Sequence, residues 1–222
     1  MVNVSASLLY NYGFYKSVYI IVYCLTNCFK FIHNLLYFNN NRHMTETSMR
    51  AGNADVYGFL EPQSIQRFGQ SQFESESYIK NWMHNSKRDV YLGAYLNGAH
   101  WQMVVILPKE NVVIWFCSLH NRPDNFFKGI INSALKGLND TPQSKSKAAA
   151  KWIVVKCNRQ KGSTECGYYV MHWMSTIILG SFKNNWEIYF NDTRPLEAER
   201  LKALRIQWAT YYLKVKNETI SV

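Results

Sequence analysis

The stretch "RQKGSTECGYYVMHWMSTIILG", residues 159–180, decides the fold. From Cys166 onward it is apolar on nearly every side, a pattern typical of a helix buried in the middle of a domain. Gly180 is a suitable residue to end such a helix. The polar segment before Cys166 contains Gly162 and predicts a loop. The stretch therefore predicts a central buried helix with a lone cysteine in its first turn.

A cysteine in this position has two interpretations. Free cysteine is among the most buried residue types, so Cys166 could be an inert part of the core. Alternatively, the unpaired N–H groups and the dipole of a helix start favour a thiolate and lower the pKa of the thiol, as in nucleophilic cysteines. A nucleophile also needs a base, and His100 in "NGAHWQMVV" is the best candidate, at the entry to a buried strand. Gln160, six residues before Cys166, offers an amide N–H for a transition-state oxyanion.

The rest of the ordered sequence alternates strands and helices. Strand patterns occur in "DVYLGAYLNGAHWQMVVILP", with an Asn-Gly turn, in "VVIWFCSL" and in "KWIVVKC". Helical spacing occurs in "SESYIKNWMHN", in "PDNFFKGIINSALKGLND" with Asp124 as N-cap, and in "RPLEAERLKALRIQWATYYLKVK". The strand run beginning at His100 has few polar positions and should be largely buried. This mixture predicts an α+β fold, a small antiparallel sheet packed against helices.

The first 55 residues differ from the rest. They consist of an apolar leader rich in Tyr and Phe, followed by the polar segment "NNNRHMTETSMRAGNAD", interpreted as a linker. The uncharged part of the leader, Ser17 to Phe29, is shorter than the ~20 residues of a membrane-spanning helix. It also lacks the basic start and cleavage site of a signal peptide. We predict one or two core helices here rather than a membrane anchor, and a main domain over residues 56–222.

Composition restricts the classes of partner and site. The net charge of +10 admits an acidic partner, but the basic residues are scattered, which argues against nucleic-acid binding. Five cysteines with no Cys-x-x-Cys pair argue against a disulfide framework or a zinc ribbon and favour a reducing compartment. A metal site joining His172 and Cys166 lacks a second close pair of ligands.

Four stretches can be considered together: "GAHWQMVVI", "VIWFCSLHNRP", "RQKGSTECGYYVMHWM" and "VYGFLEPQSIQ". The first three resemble the Ulp1-like cysteine proteases, which deconjugate SUMO and other ubiquitin-like modifiers, and most closely a plant transposon-derived branch. The fourth also looks like that branch. The order of histidine, acidic residue, glutamine and cysteine distinguishes this family from papain-type enzymes, in which the cysteine comes first.

The resemblance implies a papain-like fold and a role for each matching residue. Cys166 matches the nucleophile, His100 the catalytic histidine and Gln160 the oxyanion-hole glutamine. Trp101 would form the wall of a slot for a Gly-Gly tail. The implied reaction is thiolate attack after the C-terminal glycine of a ubiquitin-like modifier, by a monomer without metal or organic cofactor. Nucleus or cytoplasm is the implied location, and membrane association is not expected.

One position departs from the family. Where the family has an aspartate that orients the histidine, this sequence has Cys117. Asn121 or Asp124 could substitute, and Cys117 could instead form a redox-switchable disulfide with Cys166. The departure leaves a second reading, a catalytically impaired pseudo-protease that binds a ubiquitin-like modifier. A third reading, a basic DNA- or membrane-associated protein with a protease-like scaffold, depends on the charge and the leader.

Overall fold

A computed structural model describes Leu36 and residues 40–67, 69–139 and 149–220 of the chain. The elements in order are α1 (Asn40–Arg50), β1 (Tyr57–Leu60), α2 (Pro62–Ile65), α3 (Gln72–Ser86), β2 (Val90–Asn97), β3 (His100–Leu107), β4 (Val112–Phe116), α4 (Asn125–Asn139), β5 (Lys151–Val154), α5 (Cys166–Leu179), α6 (Trp186–Tyr189) and α7 (Ala198–Ile220). The fold is α+β, as predicted.

Five strands form one sheet in the order β1-β2-β3-β4-β5. The central strands β2, β3 and β4 pair antiparallel, β2 and β3 through the predicted Asn-Gly turn. The edge strands β1 and β5 pair parallel to their neighbours, so the sheet is mixed where the sequence predicted an antiparallel one. Helices lie between β1 and β2 and between β4 and β5, and such crossover connections bring the chain back in the same direction.

Both faces of the sheet are covered, which explains the nearly continuous apolar run of β3. Met103 and Val105 face the cluster that contains α5, whereas Val104 and Ile106 face the cluster built on α3 and α4. A strand buried on both faces loses the alternation of apolar and polar residues. On α3, which the helical spacing of "SESYIKNWMHN" predicted, Trp82 is 39% exposed.

Helix α5 is the centre of the larger cluster. It begins at Cys166 and ends at Leu179, as predicted, and most of its side chains are buried. Gly180 ends the helix for a packing reason: a Cβ there would lie 2.5 Å from the ring of Phe182. Its backbone is not left-handed, so the space rather than the conformation requires glycine.

The segment predicted as a polar linker, residues 39–55, contains helix α1. Its buried face is largely polar, including Asn40 and Ser48, so no apolar periodicity marks it. Ser48 donates to the Oδ1 of Asn53 at 2.8 Å, and the Nδ2 of Asn53 donates to the carbonyl of Ile178 on α5 at 2.8 Å. The apolar leader and its predicted helices lie outside the described residues. Within the described ranges, no helix is both long and apolar enough to cross a membrane.

Helix α1 contacts α7 through the buried ring of His43, and this contact should make the stability of the fold depend on pH. The ring of His43 lies 4.4 Å from that of Trp208 and 4.2 Å from that of Tyr211. Burial, with a smaller contribution from the positive charge of Arg50, lowers the pKa of His43 to about 4. As the pH drops, His43 therefore takes up a proton in the unfolded chain before it does so in the folded one. The free energy of unfolding falls between pH 6.5 and about 4, by up to ~1.4 kcal/mol per pH unit.

We expect His43→Phe, which keeps the aromatic contacts, to remove this part of the pH dependence. The measurement is the denaturation midpoint of both proteins between pH 7 and 4. Burial also lowers the pKa of His172, to about 4, and that of His100, so both histidines add a pH dependence that the parent and the variant share. The exposed His84 serves as a control, and His84→Gln should leave the parent's pH dependence intact. Equal slopes for the parent and His43→Phe would contradict the prediction.

Candidate active site

The start of α5 lies against the start of β3. The Sγ of Cys166 accepts a hydrogen bond from the backbone N–H of Trp101 at 3.4 Å. Trp101 directly follows His100, so the cysteine sulfur lies beside the first peptide of the strand that carries the histidine. The structure thus brings together two residues that are 66 positions apart in the sequence.

The hairpin between β2 and β3 positions His100. Gly98 has φ +62°, a conformation that favours glycine, and the turn returns the chain so that His100 pairs with Asn97. The ring is half-buried, and its Nε2 lies 3.3 Å from the Sγ of Cys117. Nδ1 is therefore the ring nitrogen that does not face Cys117.

Cys117 occupies the position behind the histidine. It follows the last residue of β4, is buried, and accepts a hydrogen bond from the Nε2 of Gln102 at 3.5 Å. The two residues predicted to substitute for the family's aspartate, Asp124 and Asn121, have other hydrogen-bond partners. Asp124 caps α4 by accepting from the backbone N–H of Phe127 and also accepts from the hydroxyl of Tyr95, both at 2.9 Å.

Asn121 is exposed, and its backbone carbonyl accepts from the indole N–H of Trp115 at 3.0 Å. The hydrogen-bonding partner that the structure gives to Nε2 of His100 is therefore the thiol of Cys117. The suggested disulfide is not formed, because Cys117, Cys157 and Cys166 are all free thiols.

The loop before α5 holds Gln160 through both backbone and side chain. Its backbone N–H donates to the carbonyl of Ser118 at 3.0 Å, and its Oε1 accepts from the hydroxyl of Ser118 at 2.5 Å. Its Nε2 donates to the carbonyl of Gly162 at 2.6 Å. An amide nitrogen carries two hydrogens, so this bond uses one and leaves the other.

Burial decides the resting ionisation of the central pair. It raises the pKa of the Cys166 thiol, although the N–H groups of Trp101 and Gly167 act in the opposite direction. Burial also lowers the pKa of His100. The prediction that the helix start lowers the pKa of Cys166 is wrong for this state, because the side chain is 1% exposed and desolvation outweighs the helix N–H groups. Both shifts favour the uncharged forms at pH 7, a thiol on Cys166 and a neutral imidazole on His100.

This ionisation predicts slow reaction of Cys166 with a small alkylating agent at pH 7. The thiolate is the reactive form, and its fraction should grow as the pH rises into the alkaline range. The measurement is the rate of carboxamidomethylation at Cys166, read by peptide mass spectrometry from pH 5 to 10. A rate that is already maximal at pH 5 to 6 would indicate a preformed thiolate–imidazolium pair and contradict the prediction.

The other residues that the sequence analysis singled out are Trp101 and His172. Trp101 is buried in the cluster around α5, so its role as the wall of a substrate slot stays a prediction. His172 contacts Arg200 on α7. In the part of the chain that the structure describes, no three His, Cys, Asp or Glu side chains are grouped to hold a metal ion.

Sequence reasoning missed the contacts of Gln102 and Ser118 with this site. The signal was present for Gln102, a polar residue inside an apolar strand and two positions after His100.

Comparisons with known proteins identify the family of this chain. Residues 31–217 match the model of the Ulp1 protease family, C-terminal catalytic domain. A comparison with curated proteins found no match.

Several solved structures are similar in fold. A de-sumoylating protease is 15% identical, with a TM-score of 0.57 over 85% of this chain and 88% of its own. The Ulp1-like SUMO protease catalytic domain of Chaetomium thermophilum is 14% identical, with a TM-score of 0.54 over 78% and 68%. The SUMO protease Ulp1 with its catalytic cysteine oxidized to a sulfenic acid is 14% identical, with a TM-score of 0.53 over 82% and 79%. At these identities the structures support the fold, and the family match over most of the sequence shows that the chain belongs to the Ulp1 protease family of cysteine-type peptidases.

Proposed function

We propose that this peptidase cleaves the bond after the C-terminal glycine of a ubiquitin-like modifier such as SUMO, with Cys166 as nucleophile and His100 as base. The observation that carries the proposal is the hydrogen bond from the Trp101 N–H to the Cys166 sulfur, which holds the thiol beside the histidine-bearing strand start. Family membership supplies the reaction class, and relatives named as SUMO proteases suggest the modifier.

The first step is general-base catalysis, which the directions of the two pKa shifts support. His100 takes the Cys166 proton on Nδ1 as the sulfur attacks the glycine carbonyl, because neither group is charged beforehand. The carbonyl electron pair moves to oxygen, which the free amide N–H of Gln160 stabilises. The imidazolium then protonates the leaving amine, and a thioester forms on Cys166.

Water completes the cycle. His100 removes a proton from it, the hydroxide oxygen attacks the thioester carbonyl, and Cys166 leaves with the proton that His100 returns. Trp101 lies against Cys166 through its backbone, and we assign its ring to the support of the slot for the glycine tail. We further propose a monomer that acts in the nucleus or cytoplasm.

The test uses a SUMO protein that carries a C-terminal electrophile. Ubiquitin with the same electrophile is the alternative probe. We expect one covalent adduct, which peptide mass spectrometry maps to Cys166. Cys117 and Cys157, also buried thiols, are internal controls for labelling that does not depend on the site. An adduct on either of them, or no adduct with any ubiquitin-like probe, would contradict the proposal.

A second candidate is a pseudo-protease that binds a modifier without turnover. The thiol of Cys117 favours it, because a neutral thiol supports an imidazolium less well than the family's carboxylate. Saturable binding of the unmodified modifier, without adduct formation by the probe, would identify this candidate. Binding accompanied by an adduct on Cys166 would exclude it.

A further inference from the structure

A buried glutamine lies behind the proposed catalytic pair. Gln102 is 3% exposed, its Nε2 lies 3.5 Å from the Sγ of Cys117, and that sulfur lies 3.3 Å from the Nε2 of His100. The other terminal atom of Gln102, Oε1, is buried and has no hydrogen-bond partner. The three side chains form a row from glutamine to thiol to imidazole.

The thiol in this row can contact His100 in two ways. If Cys117 donates its S–H to Nε2, the neutral imidazole carries its hydrogen on Nδ1 and cannot take the Cys166 proton there. If the sulfur instead accepts from an Nε2–H, the lone pair of Nδ1 is free to act as base. A carboxylate has no hydrogen to donate when ionised and permits only the second arrangement. A thiol needs another partner for its hydrogen.

Gln102 supplies that partner. In the structure the Nε2 of Gln102 donates to the Cys117 sulfur, and the buried Oε1 of the same amide has no partner. A half-turn of the amide gives the reverse contact, in which Oε1 accepts the S–H of Cys117 and the amide N–H groups take the position that Oε1 leaves. The hydrogen of Cys117 is then directed away from His100, and the sulfur lone pairs face the ring.

We propose that Gln102 is a positioning residue that acts through Cys117: it takes the thiol hydrogen and thereby keeps His100 in the Nε2–H tautomer. The pair replaces the orienting carboxylate of the family within this chain. The inference rests on the proposed function, because it gives Nδ1 of His100 the role of base. It adds a residue and a hydrogen-bond direction that the function alone does not require.

The direct test is the tautomer of His100 in the full chain. Nitrogen-15 NMR distinguishes protonated from unprotonated imidazole nitrogens, and His100→Gln assigns the signals. We expect the parent to hold mainly the Nε2–H form at neutral pH. A parent in the Nδ1–H form overturns the inference whether or not any variant folds and whether or not the protein is active.

A double-mutant design then tests the coupling. Gln102→Met keeps the length of the side chain and removes the amide; it should shift the tautomer population and slow labelling of Cys166 by the SUMO probe about fivefold to tenfold, the effect of one net hydrogen bond. In the Cys117→Asp background the same change should cost less than about twofold, because the carboxylate has no hydrogen to redirect. Equal losses in both backgrounds, or an unchanged tautomer in Gln102→Met, overturn the inference.

A matched control separates this effect from a loss of packing. Gln66 is also 3% exposed; its Nε2 donates to the carbonyl of Pro62 on α2, and its Oε1 accepts from the backbone N–H of Leu96 on β2. Gln66→Met should lower stability without changing the His100 tautomer, and a tautomer shift in it counts against the inference. If the parent shows no labelling at all, the proposed function fails, while the tautomer measurement still decides the inference.

Discussion

Replacing Cys166 with alanine is expected to abolish both probe labelling and cleavage. The sulfur is the atom that forms the thioester, and the structure holds it at the start of α5 against the N–H of Trp101. Loss of a catalytic nucleophile lowers turnover by about 10⁶-fold in a serine protease, and a similar loss would leave no measurable rate here. The measurement is release of a fluorescent amine from the C-terminal glycine of SUMO.

The control for this variant is Cys157→Ala. Cys157 is also 1% exposed, and burial raises its pKa to about 12, so it is a thiol of matched environment without contact to His100. We expect Cys157→Ala to keep most of the activity, and both variants to keep a cooperative unfolding transition. Cleavage that survives in Cys166→Ala, or that disappears equally in Cys157→Ala, would show that the assignment of the nucleophile is wrong.

The sequence predicted those parts of the fold that depend on local pattern. Helix α5 and strand β3 are apolar enough to be identified as central elements, and Asp124 marks the start of α4. The parallel edges of the sheet could not be predicted, because direction is set by the path of the connecting helices. Helix α1 was missed because its buried face is held by polar contacts such as Asn53 to Ile178.

The candidate site was also predicted only in part. The order of His100, Gln160 and Cys166 along the chain was visible, and the structure places Cys166 against the strand of His100. The sequence predicted a lowered pKa for Cys166, whereas burial raises it. A helix start can be identified in a sequence, but the degree of burial at that start cannot. The contact of Gln102 with Cys117 was not predicted. Gln102 lies on β3 and Cys117 directly after β4, so the contact depends on the register in which these two strands pair.

The substitution Cys117→Asp is expected to raise the cleavage rate. The wild-type thiol fixes the imidazole with a weak hydrogen bond and places no negative charge beside the imidazolium that forms when Cys166 attacks. Because burial raises the pKa of Cys166, attack depends on His100 as base and is sensitive to this loss. Replacing the orienting aspartate of a serine protease with its amide costs about 10⁴ in turnover, so we expect a gain of about 10²-fold to 10³-fold, below that limit.

The pH dependence should change with the rate. In the parent, burial lowers the pKa of His100, so the acid limb of kcat/KM should lie below the usual range of histidine. A carboxylate at Nε2 stabilises the protonated ring and raises its pKa, so the acid limb of Cys117→Asp should move to higher pH while its plateau rises. Cys117→Asn, similar in size but uncharged, should show neither change.

The contrary result is equally specific. If Cys117→Asp unfolds at the same denaturant concentration as Cys117→Asn, yet cleaves no faster than the parent, then His100 is not limited by its orientation. The thiol would then be a sufficient partner for the base. If the parent binds the modifier without forming an adduct and only Cys117→Asp cleaves it, the wild-type chain is the impaired form. In that case the residue after β4 separates a binding protein from a protease on one scaffold.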